Sequence, residues 1–497
     1  MADREGPSIR LTILSGLALS ILTNISLYIG QLLIARSLSR EEYALFLVVT
    51  NFVVLFSLFA DLGLTPLFVR LFSKHSNLKN SDESQGSLLG SMIFIRVSAS
   101  VIVSVAVVVV SYLVGYSIYE RYLMAIFLAS LFISSRLLVL RSVGEALLRS
   151  KGRYHIAMLF ATLDAMVFAL CIFIVRYFKT DVELTVWIYT FSNLPGFILL
   201  TLWISRWVKS EKIHLKVDFS RVFEILREGV PLALGTAFLT IHNTADTLLL
   251  DRLSTSTDVS AYGAGIRVLS ALIFLPSVFA LVSAPEITKA ITGGNPDSAR
   301  RIVTRSLQIL IIISLLFALA LTAAPVLVVT VLFGGDKFVD AAPLVTLFGW
   351  AFIGMSFSYY MIEVAIAEGK QWVSMLYMLV LMVVSVVFDL LLIRPYGFYG
   401  AGVAKTIAVV TGSIVVFFSM RSVDSFIHKS FFIFALKASA LTLLLLGGLL
   451  LARSFNVNEL FLLLSMLILF LAGVAAFKLL SYTKILEIVR SIPFFKT

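Results

Sequence analysis

An all-α polytopic membrane protein with about fourteen transmembrane helices is the fold class that this sequence predicts. Three observations predict it. Composition comes first: 59% of the 497 residues are hydrophobic, 14% are charged, and the mean hydropathy is +1.00. Second, apolar runs of roughly 18 to 25 residues recur from end to end, each long enough to cross about 30 Å of hydrocarbon. The third is an internal echo. LLIARSLSREEYALFLVVTNFVVLFS from Leu32 and LLLDRLSTSTDVSAYGAGIRVLSALIFLPS from Leu248 both join two apolar spans by a short polar turn. Each turn holds an Arg (Arg36, Arg252), and a Tyr (Tyr43, Tyr262) opens the next span. A polar hairpin repeated in two halves of a chain is a mark of duplicated transporter halves.

In chain order, the first half gives spans at Leu11–Ala35, Ala44–Phe68, Leu88–Val114, Tyr122–Ala146, Ile156–Phe178 and Thr185–Val208. The N-terminus lacks the short apolar region and cleavage site of a signal peptide, so the first span is expected to stay. The second half gives Val230–Leu250, Val259–Pro285, Ser306–Phe333, Pro343–Ala367, Ser374–Ile393 and Gly400–Met420. A last pair follows at Phe431–Ala452 and Leu460–Leu480. The expected organisation is an N-lobe over 1–208, a cytoplasmic amphipathic linker over 209–229, a C-lobe over 230–422, and a C-terminal helix pair with a tail over 423–497.

Within the linker, Phe219, Val222, Phe223, Leu226 and Val230 share one helical face among Lys212, Lys216, Arg221 and Arg227, which predicts an interfacial helix leading into the seventh span. Tyr482, Ile485, Leu486 and Val489 give the tail a similar face. Of the 40 Lys and Arg, about 25 fall in one set of loops and about 9 in the other. That bias places both termini in the cytoplasm. It also accounts for the net charge of +11 without nucleic acid.

Charges inside spans are the candidates for function, because each is expensive there. Arg141, Glu145, Glu363 and Lys437 sit towards cytoplasmic ends, and Asp389 and Lys405 towards outer ends, so interface anchoring accounts for them. Asp61, Arg96, Arg136 and Asp164 are deeper, as are Asp246 and Arg267. Arg96, Arg136 and Arg267 are the candidate substrate-binding cations, since Arg presents a fork of donors matched to phosphate. Asp61, Asp164 and Asp246 are candidates for ion coupling or ion pairing, and an antiparallel hairpin would bring Asp246 level with Arg267. Pro66, Pro195–Gly196, Pro231, Pro276, Pro285, Pro325 and Gly400–Gly402 interrupt or end spans where a transporter bends.

No catalytic constellation accompanies these charges. The five His are scattered, the one Cys (Cys171) excludes an internal disulfide, and no zinc-protease, Walker or dinucleotide motif occurs. No metal and no cofactor are expected; the drive is expected from Na⁺ or H⁺ coupling or from the membrane potential. The outer turns are too short to build the site of a membrane glycan polymerase or ligase, the rival from another class.

The sequence resembles the polysaccharide (O-antigen-type) flippases, which share a superfamily with lipid II flippases and multidrug and toxin extrusion transporters. Four stretches carry the resemblance: IARSLSREEYALFLVVTNFVVLFSLFADLGL from Ile34, REGVPLALGTAFLTIHNTADTLLLDRLSTSTDVSAYGAGIRVLSALIFLPS from Arg227, LFGGDKFVDAAPLVTLFGWAF from Leu332, and PYGFYGAGVAKTIA from Pro395. The resemblance implies two pseudo-symmetric six-helix lobes around a central cavity that opens to either side in turn. It implies export of an undecaprenyl-diphosphate-linked oligosaccharide in the inner membrane, beside a polymerase and glycosyltransferases, by a monomer among membrane lipids. Arg96, Arg136 and Arg267 are matched to the cationic cavity of that family. Phe431–Leu480 is similar to the extra helices of lipid II flippases, and a cation-extruding antiporter built on Asp61 or Asp246 is the rival within transport.

Overall fold

The structure, a computed structural model, describes residues 9–61, 63–75, 81–137, 139–178, 180–421, 429–455 and 457–479. It is 89% helical, without a strand among the described residues. Two compact units divide at Leu248 and Leu249, inside a helix, C-terminal to the predicted linker.

The first unit holds α1 (Ile9–Ser37), α2 (Arg40–Asp61), α3 (Leu64–His75), α4 (Ser81–Leu113), α5 (Ile118–Leu128), α6 (Ser130–Ile133), α7 (Arg141–Ser150), α8 (Tyr154–Val175), α9 (Val182–Phe191), α10 (Leu194–Ser210) and most of α11 (Phe219–Leu253). The second holds α12 (Ser256–Thr292), α13 (Pro296–Ala323), α14 (Pro325–Phe333), a 3₁₀ turn over Asp336–Ala341, α15 (Ala342–Ala367), α16 (Gln371–Arg421), α17 (Lys429–Ser454) and α18 (Glu459–Ala476). Eleven stretches among the described residues are long and apolar enough to cross a membrane. One merger and two missing spans account for the difference from fourteen. Two expected spans are merged in α16 across a kink at Gly397, one is broken into α5, α6 and α7, and one lies within the polar-studded α11.

Both repeated hairpins form as capped helix–turn–helix units. Ser39 and Glu42 make reciprocal bonds across the first turn of α2 (3.1 and 2.9 Å), and the Thr255 hydroxyl accepts the Asp258 amide at the start of α12 (3.2 Å). Such caps satisfy amides that a helix start leaves free. Tyr43 and Tyr262, which open the two spans, are buried.

The linker begins without helix and turns helical where its apolar face starts. Residues after α10 run extended from Ile213 to Asp218 along α4, and helix resumes only at Phe219. A Cβ at Gly86 or Gly90 would sit 2.3 Å from the His214 carbonyl or 2.6 Å from that of Lys216, so the two glycines open the groove that this non-helical segment occupies. The Ser91 hydroxyl accepts the Asp218 amide at 3.1 Å. Val222, Ile225 and Leu226 then pack on the apolar core with Phe68, Phe72 and Leu147. Phe219 and Phe223, placed on the same predicted face, are instead 70% and 72% exposed, as suits an element at a membrane boundary. The tail face predicted at Tyr482–Val489 lies outside the described residues.

Candidate functional site

The charges of the first unit converge on three interrupted spans. In the second span, α2 ends at Asp61, Gly63 turns with φ 57°, and α3 starts at Leu64. Arg96, fully buried on α4, closes this break. Its Nη1 donates to the Ala60 carbonyl at 2.8 Å and to the Asp61 carbonyl, and its Nη2 reaches Thr65 Oγ1 at 3.1 Å and Asp61 Oδ1 at 3.0 Å. A cation on the last carbonyls of a helix satisfies orphan acceptors and complements the dipole. Two sequence candidates, Arg96 and Asp61, are therefore brought together as a pair. Arg96 presents no exposed surface to a cavity.

The other two breaks face each other. Between α6 and α7 the chain is non-helical over 134–140 apart from residue 138, which is not described; α9 gives way to α10 at Ser192–Asn193. The Asp164 carboxylate on α8 accepts the Gly196 amide at 2.7 Å and an Nη1 proton of Arg141. A Cβ at Gly196 would lie 2.4 Å from Asp164 Oδ2, so only glycine lets the carboxylate onto the start of α10. Arg141 also binds Glu145 Oε1 at 3.1 Å, and all three side chains are almost wholly enclosed. Asn193 ties the breaks together, accepting from the Ser134 and Ser135 hydroxyls at 3.5 and 3.4 Å while donating to the Thr190 carbonyl at 3.0 Å. Interface anchoring for Arg141 and Glu145 is thus overturned, because neither reaches the surface. The signal was present: an Arg and a Glu four apart, and an Asn–Leu–Pro–Gly interruption within an apolar run.

Arg136 stands at the edge of this network and, unlike Arg96 and Arg141, makes no ion pair among the described residues. Its Cζ lies 4.3 Å from the ring centroids of Phe168 and Tyr189, and Nη1 donates to the Tyr189 carbonyl at 3.1 Å. Nε and Nη2 have no hydrogen-bond partner among the described residues. Both unspent donors are themselves buried, so this guanidinium, clasped by two rings, would meet an anion only once the break around it opens.

In the second unit, Arg267 on α12 is half-buried, and its Nε is buried without a hydrogen-bond partner among the described residues. Asp246 is buried near the end of the first unit, where its Oδ1 accepts the Thr247 amide at 2.8 Å. The two residues of that expected pair therefore belong to different units. Asp389 and Lys405 are buried on either side of the Gly397 kink, which overturns anchoring for them too. Glu363 is exposed, and Lys437 reaches the Phe477 carbonyl at the end of α18 (3.4 Å), in keeping with a boundary role.

The break in the ninth span is held from outside. α13 stops before Pro325, and α14 has no side-chain cap of its own. Arg453, in the last turn of α17, donates to the Thr322 carbonyl, and Glu459, the first residue of α18, accepts the Leu327 amide at 2.7 Å. Each charge thus meets the helix end of opposite polarity. Two apolar grooves, about 460 Å³ beside Trp187 and Phe191 and about 350 Å³ beside Phe357 and Phe417, contain none of the candidate charges. No cluster of metal-ligating side chains occurs among the described residues.

Comparisons with known proteins agree with this geometry. The polysaccharide biosynthesis protein family profile matches residues 12–291, and the MatE profile matches residues 231–391. The lipid II flippase MurJ, in an inward closed conformation, superposes with a TM-score of 0.69 at 16% identity, covering 95% of this chain and 100% of that one. An inward-facing multidrug resistance MATE family transporter gives 0.64 at 17% identity, over 81% of this chain and 93% of its own. A transporter from Pyrococcus furiosus, described as having a binding pocket of reverse polarity, gives 0.58 at 16% identity over 83% and 94%. No curated protein matches. The fold is the one these structures share, all-helical, with eleven stretches among the described residues long and apolar enough to cross a membrane. The chain belongs to the polysaccharide biosynthesis protein family.

Proposed function

We propose that this protein is a flippase carrying an undecaprenyl-diphosphate-linked oligosaccharide from the cytoplasmic to the outer leaflet of the inner membrane, by alternating access, for cell-surface polysaccharide assembly. The observation that carries the reading is Arg136, a caged guanidinium with two unspent donors. A planar fork suits a diphosphate better than an ammonium does. Arg267 is the second binding cation, and Arg96 contributes by holding the α2–α3 break in shape. The family to which the chain belongs supports the polysaccharide pathway, with a polymerase and glycosyltransferases as neighbours and both termini in the cytoplasm. Exporting net negative charge is favoured by an inside-negative potential, by about 2.3 kcal/mol per charge per 100 mV. That is the drive we assign, with Na⁺ or H⁺ coupling as the other source.

A second reading, lipid II flipping, is favoured by one observation. The likeness to MurJ takes in 95% of this chain, against 81% for the MATE transporter. Cation extrusion is less well supported, since Asp61 and Asp164 already hold arginines.

The test is surface polysaccharide in a strain deleted for its own flippase, with membrane abundance measured in parallel. Arg136→Lys and Arg267→Lys should each keep part of the activity, and the alanine variants should lose roughly tenfold, the value of a charge-assisted hydrogen bond. Normal surface glycan from an abundant Arg136→Ala/Arg267→Ala double variant would refute the cationic mechanism. Rescue of a strain depleted of its lipid II flippase, without rescue of surface polysaccharide, would favour the second reading.

A further inference from the structure

The turn between α7 and α8 gathers cations, and all but Arg149 lack an ion-pair partner among the described residues. Arg149 ends α7, Lys151 and Arg153 flank Gly152 in the turn, and Arg206 and Lys209 lie in the last turns of α10. Three of the cations lie against aromatic rings. Lys151 Nζ is 4.2 Å from the Trp207 centroid and 5.9 Å from that of Phe72, Arg153 Cζ is 5.8 Å from Trp203, and Arg149 Cζ is 5.2 Å from Tyr154. Lys151, Arg153, Arg206 and Lys209 make no ion pair among the described residues. The carboxylates nearby do not balance them. Glu145 is enclosed and held by Arg141, with Arg149 at 4.0 Å, and Glu211 is a single exposed charge that acts on Lys151 from a distance. Burial beside the rings draws the Lys151 ammonium below its ordinary range; Glu211 opposes that shift and Arg153 adds to it.

A ring face steadies a cation but does not neutralise it. Trp203 and Trp207 are one helical turn apart, half-buried, where α10 leaves the apolar layer. Tryptophan concentrates at that depth because its ring spans the headgroup boundary. The anion abundant at the same depth is the phosphate of a bilayer lipid. We infer that this edge of the first unit is a binding site for the headgroup of an anionic glycerophospholipid. Lys151 and Arg153 take the phosphate, and Trp203 and Trp207 pack against the glycerol and the first carbons of the chains. The ligand is a resident lipid of the leaflet on that side, distinct from the cargo at Arg136, and the site stands whatever that cargo is.

The test uses the full chain in phosphatidylcholine nanodiscs, with brominated phosphatidylglycerol as the probe and tryptophan fluorescence as the readout. Brominated phosphatidylglycerol should quench at a far lower mole fraction than brominated phosphatidylcholine. The K151Q/R153Q variant should need roughly thirtyfold more, from the loss of two cations at an anionic site. K151R/R153K should retain the preference. Should K151Q/R153Q fail to fold, the wild type in high salt decides: the preference should fade as the charges are screened. Equal quenching by the two lipids, or a preference indifferent to both the charge-removing variant and salt, would overturn the site and leave the turn a structural girdle only.

Discussion

The two units solve the same problem, a spanning helix that must be interrupted, by different chemistry. In the first, interruptions at Asp61–Leu64, 134–140 and Ser192–Asn193 are held by buried acidic and basic side chains: Arg96, from α4, at the end of α2, and Arg141 with Asp164 and Glu145 between α7, α8 and α10. In the second, the interruption at Ala324 is held by Arg453 and Glu459, which reach in from the facing ends of the C-terminal helix pair. The core helices there are joined by hydroxyls, Ser314 to Ser356 and Ser358 to Ser413, both at 2.9 Å. The contrast teaches that a buried charge can be spent on architecture. Of the three arginines with functional claims, Arg96 spends both terminal nitrogens of its guanidinium on the α2–α3 break, whereas Arg136 keeps Nη2 as well as Nε unspent and Arg267 keeps Nε.

The sharpest way to break the comparison is Arg141→Met. It strands two enclosed carboxylates, which should cost about 3–5 kcal/mol and remove most folded protein. Thermal unfolding in detergent and membrane abundance are the measurements. Replacing the trio together (Arg141→Met, Glu145→Gln, Asp164→Asn) should recover much of the loss, because no charge is left unpaired. Near-normal unfolding of Arg141→Met alone would show that the network does not hold the breaks.

An intermediate effect is expected at the outer clamp. Glu459→Gln or Arg453→Met should cost about 1.5 kcal/mol each, the value of a hydrogen bond to a charged group. Abundance should stay close to normal, with faster hydrogen exchange confined to the Leu327 amide and its neighbours in α14. Unchanged exchange there would remove the C-terminal pair from this role. The smallest effect belongs to the hydroxyl contacts. Ser314→Ala or Ser358→Ala should cost about 0.6 kcal/mol, typical of a hydrogen bond between membrane helices. A loss as large as that of Arg141→Met would erase the distinction between the units.

Sequence by itself determined the membrane class, the number of apolar segments to within the merged and broken spans, and the duplicated hairpin. Span length, hydropathy and cap residues such as Ser39 and Thr255 are local properties, set by the bilayer and by the free amides of a helix start. It also located nearly every buried charge. What it left open was which charges spend their donors on the fold. Distance along the chain placed Arg141 near a boundary, yet the helix breaks carry it inward to Asp164, 23 residues away, and to the Gly196 amide. Arg453 and Glu459 looked like ordinary turn residues, and only packing of the C-terminal pair on α13 and α14 brings them to the free carbonyl and amide at Ala324. Tertiary structure alone decided these roles, because a broken helix exposes polar backbone that must be satisfied by whichever side chain the packing delivers.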